Sequence, residues 1–122
     1  MRVMVLVKAT EDSEKGFSRD AWTTAMMEAM GNFNDELRKA GIFVTGEGLK
    51  PSSQGKRVAF HGKNRLVIDG PFAETKELVA GFWIWDVKDM DEAVAWVKRC
   101  PNPMRGPSDI EIRPFYEAAD FG

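Results

Sequence analysis

Two segments of this 122-residue chain, 2–8 and 79–87, are apolar at nearly every position. A strand with one solvated face alternates polar and apolar residues, whereas a strand buried on both faces does not. We therefore expect both segments to be central strands of a sheet that is covered on its two sides. This requirement for two covers constrains the fold more than any other feature of the sequence.

Two helices are predicted to form the first cover. Residues 19–40 repeat apolar side chains every three or four positions, which is the spacing of one helix face; these are Trp22, Met26, Met30, Phe33, Leu37 and Ala40. The polar residues 9–18 are predicted to form a loop before this helix. Ser18 or Asp20 can cap the start of the helix, and Gly41 suits its end. A capping-box pattern, Asp-Met-Asp-Glu, predicts the second helix over 89–99.

The remaining strands are predicted at 42–49, in a hairpin of 56–61 and 64–68, and at 110–113. The order is then β-α-β, a hairpin, and β-α-β, which is the ferredoxin-like pattern with an inserted hairpin. We predict an α+β fold in which an antiparallel sheet carries both helices on one face. Residues 1–116 would form the domain and 117–122 a loosely held tail.

No predicted segment is left to cover the other face of the sheet. The economical solution is a symmetric partner that lays sheet on sheet, so we predict a homodimer with a shared barrel-like core.

Composition excludes several classes of function. The formal net charge of −2 gives no general attraction to nucleic acid, so direct nucleic-acid binding is not expected. No apolar run approaches the roughly 18 residues of a membrane span, and the N-terminus lacks the pattern of a signal peptide. A single cysteine, Cys100, fits a reducing compartment. We expect a cytoplasmic protein that does not bind membranes.

Charged residues are concentrated in the segment 69–77, where a Gly-Pro step must bend the chain after a strand. Asp69 is the first candidate for acid–base catalysis, on the expectation that it leaves a buried strand; the alternative is an Asx-turn that accepts backbone N–H groups. Glu74 and Lys76 are candidates for ligand binding, or else solvated surface residues. We expect Gly70–Phe72 to be architectural.

Glu47 lies between two glycines on the strand 42–49 and is the second catalytic candidate. If its carboxylate faces the barrel interior, it needs a cationic partner, and Lys8 or Arg113 would serve on neighbouring strands. Such a pair is structural more often than catalytic, but it would also provide a polar patch for a ligand.

Other reactive residues are predicted to have no chemical role. Ser52 and Ser53 lack an adjacent base, and the lone His61 belongs to a hairpin turn. No cluster with the spacing of metal ligands occurs, and no cofactor is expected. Four basic residues near the hairpin tip are the one feature typical of nucleic-acid binding; they are Lys56, Arg57, Lys63 and Arg65.

The segment Asp69-Gly70-Pro71-Phe72-Ala73-Glu74-Thr75-Lys76-Glu77 resembles the signature of the DGPF proteins, a branch of the YCII-related family. Further likeness follows at 46–53, 80–84, 96–101 and 110–114. The resemblance implies a dimeric α+β barrel of ferredoxin-like topology. Some relatives act on small ring compounds as dehydrochlorinases or lactone isomerases, and others are associated with transcription initiation.

In the enzyme-like branch of that family, a His on the first helix and an Asp are thought to form a catalytic dyad. The first predicted helix here contains no His. The sequence thus leaves open whether the chain is an enzyme. Three functions remain: a small-molecule-binding dimer without a cofactor, a cofactor-independent lyase or isomerase for a small cyclic or anionic metabolite, and an accessory factor of the transcription machinery.

Overall fold

The computed structural model describes residues 1–16 and 18–122; Phe17, in the loop predicted over 9–18, lies outside the described residues. The helices and strands are β1 (Arg2–Lys8), α1 (Glu11–Glu14), α2 (Ala21–Lys39), β2 (Phe43–Gly48), β3 (Lys56–His61), β4 (Asn64–Asp69), β5 (Val79–Asp86), α3 (Met90–Arg99) and β6 (Ile110–Pro114). Turns of 3₁₀ helix occur at Ser52–Gln54, Thr75–Glu77 and Ala118–Phe121.

Four strands form an antiparallel sheet in the order β2-β5-β1-β6, with β1 and β5 at its centre. This is the strand order of a ferredoxin-like fold, so the predicted α+β class is confirmed. The inserted hairpin, β3 and β4, forms a separate two-stranded sheet.

The long helix α2 begins and ends where the sequence predicts. Asp20 adopts an extended conformation, and its Oδ1 accepts a hydrogen bond from the Thr23 N–H at 2.9 Å. At the other end Gly41 has φ 75°, a left-handed conformation that glycine adopts without steric cost. In α3, Asp89 is the cap, but Glu92 accepts the N–H of Lys88 rather than that of the cap residue.

The core lies between the helices and one face of the sheet. Alternate residues of the two central strands point into it, including Val3, Val5, Trp83 and Trp85, and Phe33 of α2 packs edge-on against Trp83 with ring centroids 6.1 Å apart. Burying each large apolar side chain contributes roughly 1.5–3 kcal/mol to stability. The Trp-rich strand is therefore the centre of the core.

The intervening residues of the same strands lie on the opposite face of the sheet. Met4, Leu6, Phe82 and Ile84 are half-buried there. In the described residues no helix covers this face, because α2 and α3 both pack on the other one.

Two predictions about local structure are wrong. Residues 11–14 form α1 rather than a loop, because Thr10 and Ser13 exchange hydrogen bonds in a capping box. The strand before Asp69 is neither central nor buried: all six residues of β4 are exposed. An apolar run of β-branched residues predicts a strand, but it does not distinguish the central sheet from a projecting hairpin.

Candidate functional site

A cavity of about 590 Å³ opens between the start of α2 and the paired ends of β2 and β5. Its walls come from α2, from the two strands, from α1 and from the loop that follows α3. Pockets that bind small molecules usually measure about 300–1,000 Å³ and combine apolar walls with a few polar groups. The cavity has that size and that character.

The α2 wall is a row of residues spaced by four positions: Trp22, Met26, Met30 and Asn34. The apolar side chains predicted to form one stripe on this helix therefore face two different regions. Phe33 and Leu37 enter the core, while Trp22 and Met26 line the cavity and Met30 contacts both. Met and Trp side chains give this wall polarisable, adaptable surfaces.

Trp83 joins the two walls. Its Nε1 donates a hydrogen bond of 2.9 Å to Asn34 Oδ1, which fixes the indole against α2. A β-carbon on Gly46 would lie 2.7 Å from Trp83 Cδ1. The Trp83 ring thus occupies the space that the missing side chain of Gly46 leaves.

Arg105 stands at the cavity wall on the loop after α3. Its guanidinium lies over the Trp22 ring, 4.4 Å from the centroid, pairs with Asp20, and places Nε 3.6 Å from Asp12. The backbone N–H and then the hydroxyl of Thr23 lower the pKa of Asp20, and Arg105 adds to the effect. These contacts tie the loop to the start of α2.

Glu47 is the one predicted catalytic residue among the described residues that line this cavity, but it pairs with Phe82 across the ladder, so its side chain lies on the uncovered face of the sheet, away from α2. The prediction that Lys8 or Arg113 lies on a neighbouring strand is wrong, because β5 separates β2 from β1 and β6 is the far edge of the sheet. Lys8 and Arg113 instead pair with Glu111, at 4.0 Å and 3.3 Å.

The cavity lining, as far as the structure describes it, does not include Asp69, Glu74 or Lys76. Asp69 pairs across the hairpin with Lys56, and both side chains are exposed. This cross-strand ion pair replaces the Asx-turn that was the alternative for Asp69. Glu74 precedes the 3₁₀ turn Thr75–Glu77 and Lys76 lies within it, and both residues are exposed.

The segment Gly70–Phe72 makes the architectural contacts expected of it. Ser52 Oγ accepts the N–H of Phe72 at 3.0 Å and donates to Glu14, while the N–H of Gly70 donates to Gly55 at 3.0 Å. The Gly70–Pro71 peptide bond is cis. The Ser52 hydroxyl thus joins Glu14 of α1 to the segment Gly70–Phe72.

Cys100 is half-buried, and burial raises the pKa of its thiol to about 12. Within residues 1–16 and 18–122, no three His, Cys, Asp or Glu side chains are grouped as metal ligands. None of the helices in that part of the chain has both the length and the apolar character needed to cross a membrane.

Sequence reasoning missed Asn34, Asp12 and Arg105. Asn34 continues the four-residue spacing of Trp22, Met26 and Met30, so the helical pattern contained a signal for it. No pattern in the sequence indicated Arg105, since its position depends on how a Pro- and Gly-rich loop folds back onto α2.

The YCII-related domain family matches residues 1–116. The chain belongs to this family. An uncharacterised protein of Rhizobium meliloti (strain 1021) is 33% identical over 66 residues, which cover 54% of this chain and 53% of that protein. The YCII-related chain thus matches about half the length of its curated relative.

A solved structure shares the fold of this YCII-related chain. It is the 5-chloro-2-hydroxyhydroquinone dehydrochlorinase of Burkholderia phenoliruptrix AC1100, in complex with 2,5-dihydroxybenzoquinone; the TM-score is 0.54, the identity is 15%, and the match covers 98% of each chain. At this identity the likeness shows the fold alone.

Proposed function

We propose that the protein binds a small molecule in the cavity between α2, β2 and β5. The observation that carries the proposal is the cavity itself, whose volume of about 590 Å³ fits a molecule of one or two rings. Its apolar walls supply contact area, and its few polar groups would fix the orientation of the ligand.

The lining favours a ligand with an apolar or ring-shaped body and at least one acceptor group. Trp22, Met26 and Met30 would contact the body of the ligand, and Arg105 is the cation placed to receive an anionic or carbonyl oxygen. The structural neighbour was solved with 2,5-dihydroxybenzoquinone, a molecule of this chemical class. The neighbour supports the proposal because the two proteins share a fold.

A second candidate is a cofactor-independent lyase or isomerase, favoured by a carboxylate beside Arg105. Asp12 lines the cavity and lies 3.6 Å from Arg105 Nε, whereas the Glu47 carboxylate shares the face of the sheet that carries Phe82. Asp12 would take a proton from the bound molecule, and Arg105 would stabilise the negative charge that develops. This assignment replaces Asp69 as the base, since Asp69 lies on the exposed hairpin.

We also propose that the protein is a homodimer joined through the uncovered face of the sheet. Met4, Leu6, Phe82 and Ile84 form an apolar centre on that face, and the Lys8–Glu111–Arg113 cluster is a polar rim. A two-fold axis would bring this face against its own copy. Sedimentation at micromolar concentration tests the proposal; a stable monomer would reject it.

Titration calorimetry with 2,5-dihydroxybenzoquinone tests the cavity. We expect saturable binding by the wild type, weakened at least tenfold in the variant Arg105→Gln. Arg99→Gln is the matched control, because Arg99 also lies over an indole, Trp96 at 4.5 Å, and pairs with a carboxylate outside the cavity. Equal affinity in Arg105→Gln and Arg99→Gln would place binding elsewhere.

A turnover assay separates the two candidate functions. If the protein is an enzyme, it converts a bound ring compound, and Asp12→Asn abolishes turnover while binding persists. A wild type that binds such compounds but converts none would favour the binding protein.

A further inference from the structure

The inner end of the cavity contains the polar side chain of Asn34. This residue lies beside Trp83, which is only 6% exposed, whereas the side chain of Arg105 at the other end of the cavity is 36% exposed. The cavity therefore has a closed end at Asn34 and an open end at Arg105.

The hydrogen bond to Trp83 fixes the orientation of the Asn34 amide. An indole N–H can only donate, so the amide atom that faces it at 2.9 Å is the oxygen, and the NH₂ group lies on the other side of the amide. In the part of the chain that the structure describes, Asn34 Nδ2 has no hydrogen-bond acceptor. A ligand with an apolar end would displace water from these donors and leave them unpaired, whereas a carbonyl oxygen would accept from them.

The length of α2 between the two polar ends sets the length of the ligand. Trp22, which lies under the Arg105 guanidinium, and Asn34 are twelve residues apart on this helix. The rise of 1.5 Å per residue separates them by about 18 Å along the helix axis. A hydrogen bond of about 3 Å at each end leaves about 12 Å for the ligand. One ring with its substituents is too short to join the two ends, whereas two linked rings with an oxygen at each end have that length.

The charges around Arg105 favour a neutral group at the open end. Its Nη2 donates to Asp20 and to Thr23 Oγ1, and its Nε lies 3.6 Å from Asp12. Among the described residues Nη1 has no such partner, so it can donate to a ligand. The two carboxylates would repel a ligand carboxylate at this position, whereas a carbonyl oxygen accepts from Nη1 without that repulsion.

We propose that the cavity takes a neutral, elongated compound of two linked rings with a carbonyl oxygen at each end, one bound by Arg105 and the other by the Asn34 amide. This inference rests on the proposed binding of a small molecule in the cavity. Met26 and Met30 lie between the two polar ends and contact the rings. Asn34 is then the residue that selects ligands with an inner carbonyl group.

Equilibrium dialysis with 4,4′-diacetylbiphenyl tests the ligand class. We expect the wild type to bind this compound at least fivefold more tightly than 4-acetyl-4′-isopropylbiphenyl, in which a methyl group replaces one carbonyl oxygen. We expect the same preference over 1,4-diacetylbenzene, which has both carbonyl groups but only one ring. Equal affinity for the diacetyl and isopropyl biphenyls would reject recognition of the inner carbonyl, and equal affinity for the compounds with one and two rings would reject the elongated shape.

The variant Asn34→Asp tests the residue. It keeps an oxygen for the Trp83 N–H and removes the two amide N–H donors. The preference for the diacetyl over the isopropyl biphenyl should therefore disappear. Asn32→Asp is the matched control, because it places the same charge on an exposed position of α2 outside the cavity lining, and the preference should persist. A preference that survives in Asn34→Asp, or that is lost in both variants, would overturn the role of Asn34.

The side-chain amide signals of Asn34 give a measurement on the wild type that does not depend on the stability of a variant. In ¹⁵N-labelled protein these signals should move downfield on saturation with 4,4′-diacetylbiphenyl and should move less with the isopropyl compound. Signals that stay in place in the saturated complex would contradict a hydrogen bond from Asn34 to the ligand.

Binding of 2,5-dihydroxybenzoquinone separates a failure of this inference from a failure of the proposed function. This compound has one ring and should bind equally well to the wild type and to Asn34→Asp. If its binding depends on Arg105 but the diacetylbiphenyl does not bind, the class of two-ring compounds is rejected while the cavity stays a binding site. If neither compound binds, both proposals are rejected.

Discussion

A β-carbon on Gly70 would lie 1.7 Å from the carbonyl oxygen of Ser52 and 2.6 Å from its carbonyl carbon. Gly70 does not have a positive φ, so the requirement for glycine comes from this contact and not from backbone conformation. The Gly of the signature segment is thus explained by the close passage of two chain segments at the base of the β3–β4 hairpin.

We predict that Gly70→Ala loosens the attachment of the β3–β4 hairpin to the domain. The clash is with backbone atoms, which cannot rotate away as a side chain can, and overpacking of this kind costs about 1–3 kcal/mol. Hydrogen exchange should show faster exchange of the amides of residues 56–69 and unchanged exchange in β1 and β5. Gly106→Ala is the control, because a β-carbon there meets no atom within 4 Å. Equal exchange in both variants would contradict the explanation.

The main features of the fold were predictable because they follow from local patterns. Three features could be predicted: the two strands that are apolar on both faces, the apolar stripe of α2, and the end of that helix at Gly41. Each depends on the periodicity or backbone preferences of a few consecutive residues. The position of β4 was not predictable in this way, because the same apolar run suits a central strand and an exposed hairpin. Whether other parts of the chain cover a strand is a tertiary property, and the sequence of β4 alone does not show it.

The cavity was harder to predict than the fold. Glu47 was predicted because a carboxylate between two glycines stands out in an apolar strand. The residue does line the cavity, but its side chain lies on the other face of the sheet, with that of Phe82. Asp69 was wrongly placed on a buried strand, since the sequence does not show which strand belongs to the main sheet. Arg105 joins Trp22 across more than eighty residues, and no single-sequence pattern encodes such a contact.

Gly31→Ala should stabilise the protein. Gly31 lies in the interior of α2 and is exposed, and a β-carbon there would meet no atom within 4 Å. Replacing a helical glycine by alanine gains about 0.5–1 kcal/mol, because glycine loses more conformational freedom on folding. Denaturant unfolding measures the change. Gly41→Ala is the contrasting variant: its φ of 75° strains alanine, so the free energy of unfolding should fall. Two changes of the same sign would contradict this account of α2.

Cys100 should react slowly with a disulfide reagent. Because burial raises the pKa of its thiol from 9.0 to about 12, the thiolate fraction at a given pH is about a thousandth of the usual one. The higher nucleophilicity of a more basic thiolate offsets part of this loss, which leaves a rate roughly 50-fold lower than that of an ordinary thiol. The reaction of the folded protein with Ellman's reagent, compared with the same protein in denaturant, measures the ratio. Equal rates would show that the thiol is solvated.

The lowered pKa of Asp20 predicts a stability that depends on pH. A carboxylate whose folded pKa lies below its usual value of 3.8 contributes stability that is fully present above that value and is lost as the pH falls through the folded pKa. Asp20→Asn keeps a capping side chain but removes the charge that Arg105 and the Thr23 N–H stabilise. Thermal unfolding should therefore show a more stable wild type at neutral pH and a difference that shrinks as the pH falls below 3.8.

Asp35→Asn is the control, since Asp35 forms only an exposed ion pair with Arg38 at 3.1 Å, and its effect should be small at every pH. A difference between wild type and Asp20→Asn that stays constant down to the lowest pH would show that the charge of Asp20 is not the stabilising feature.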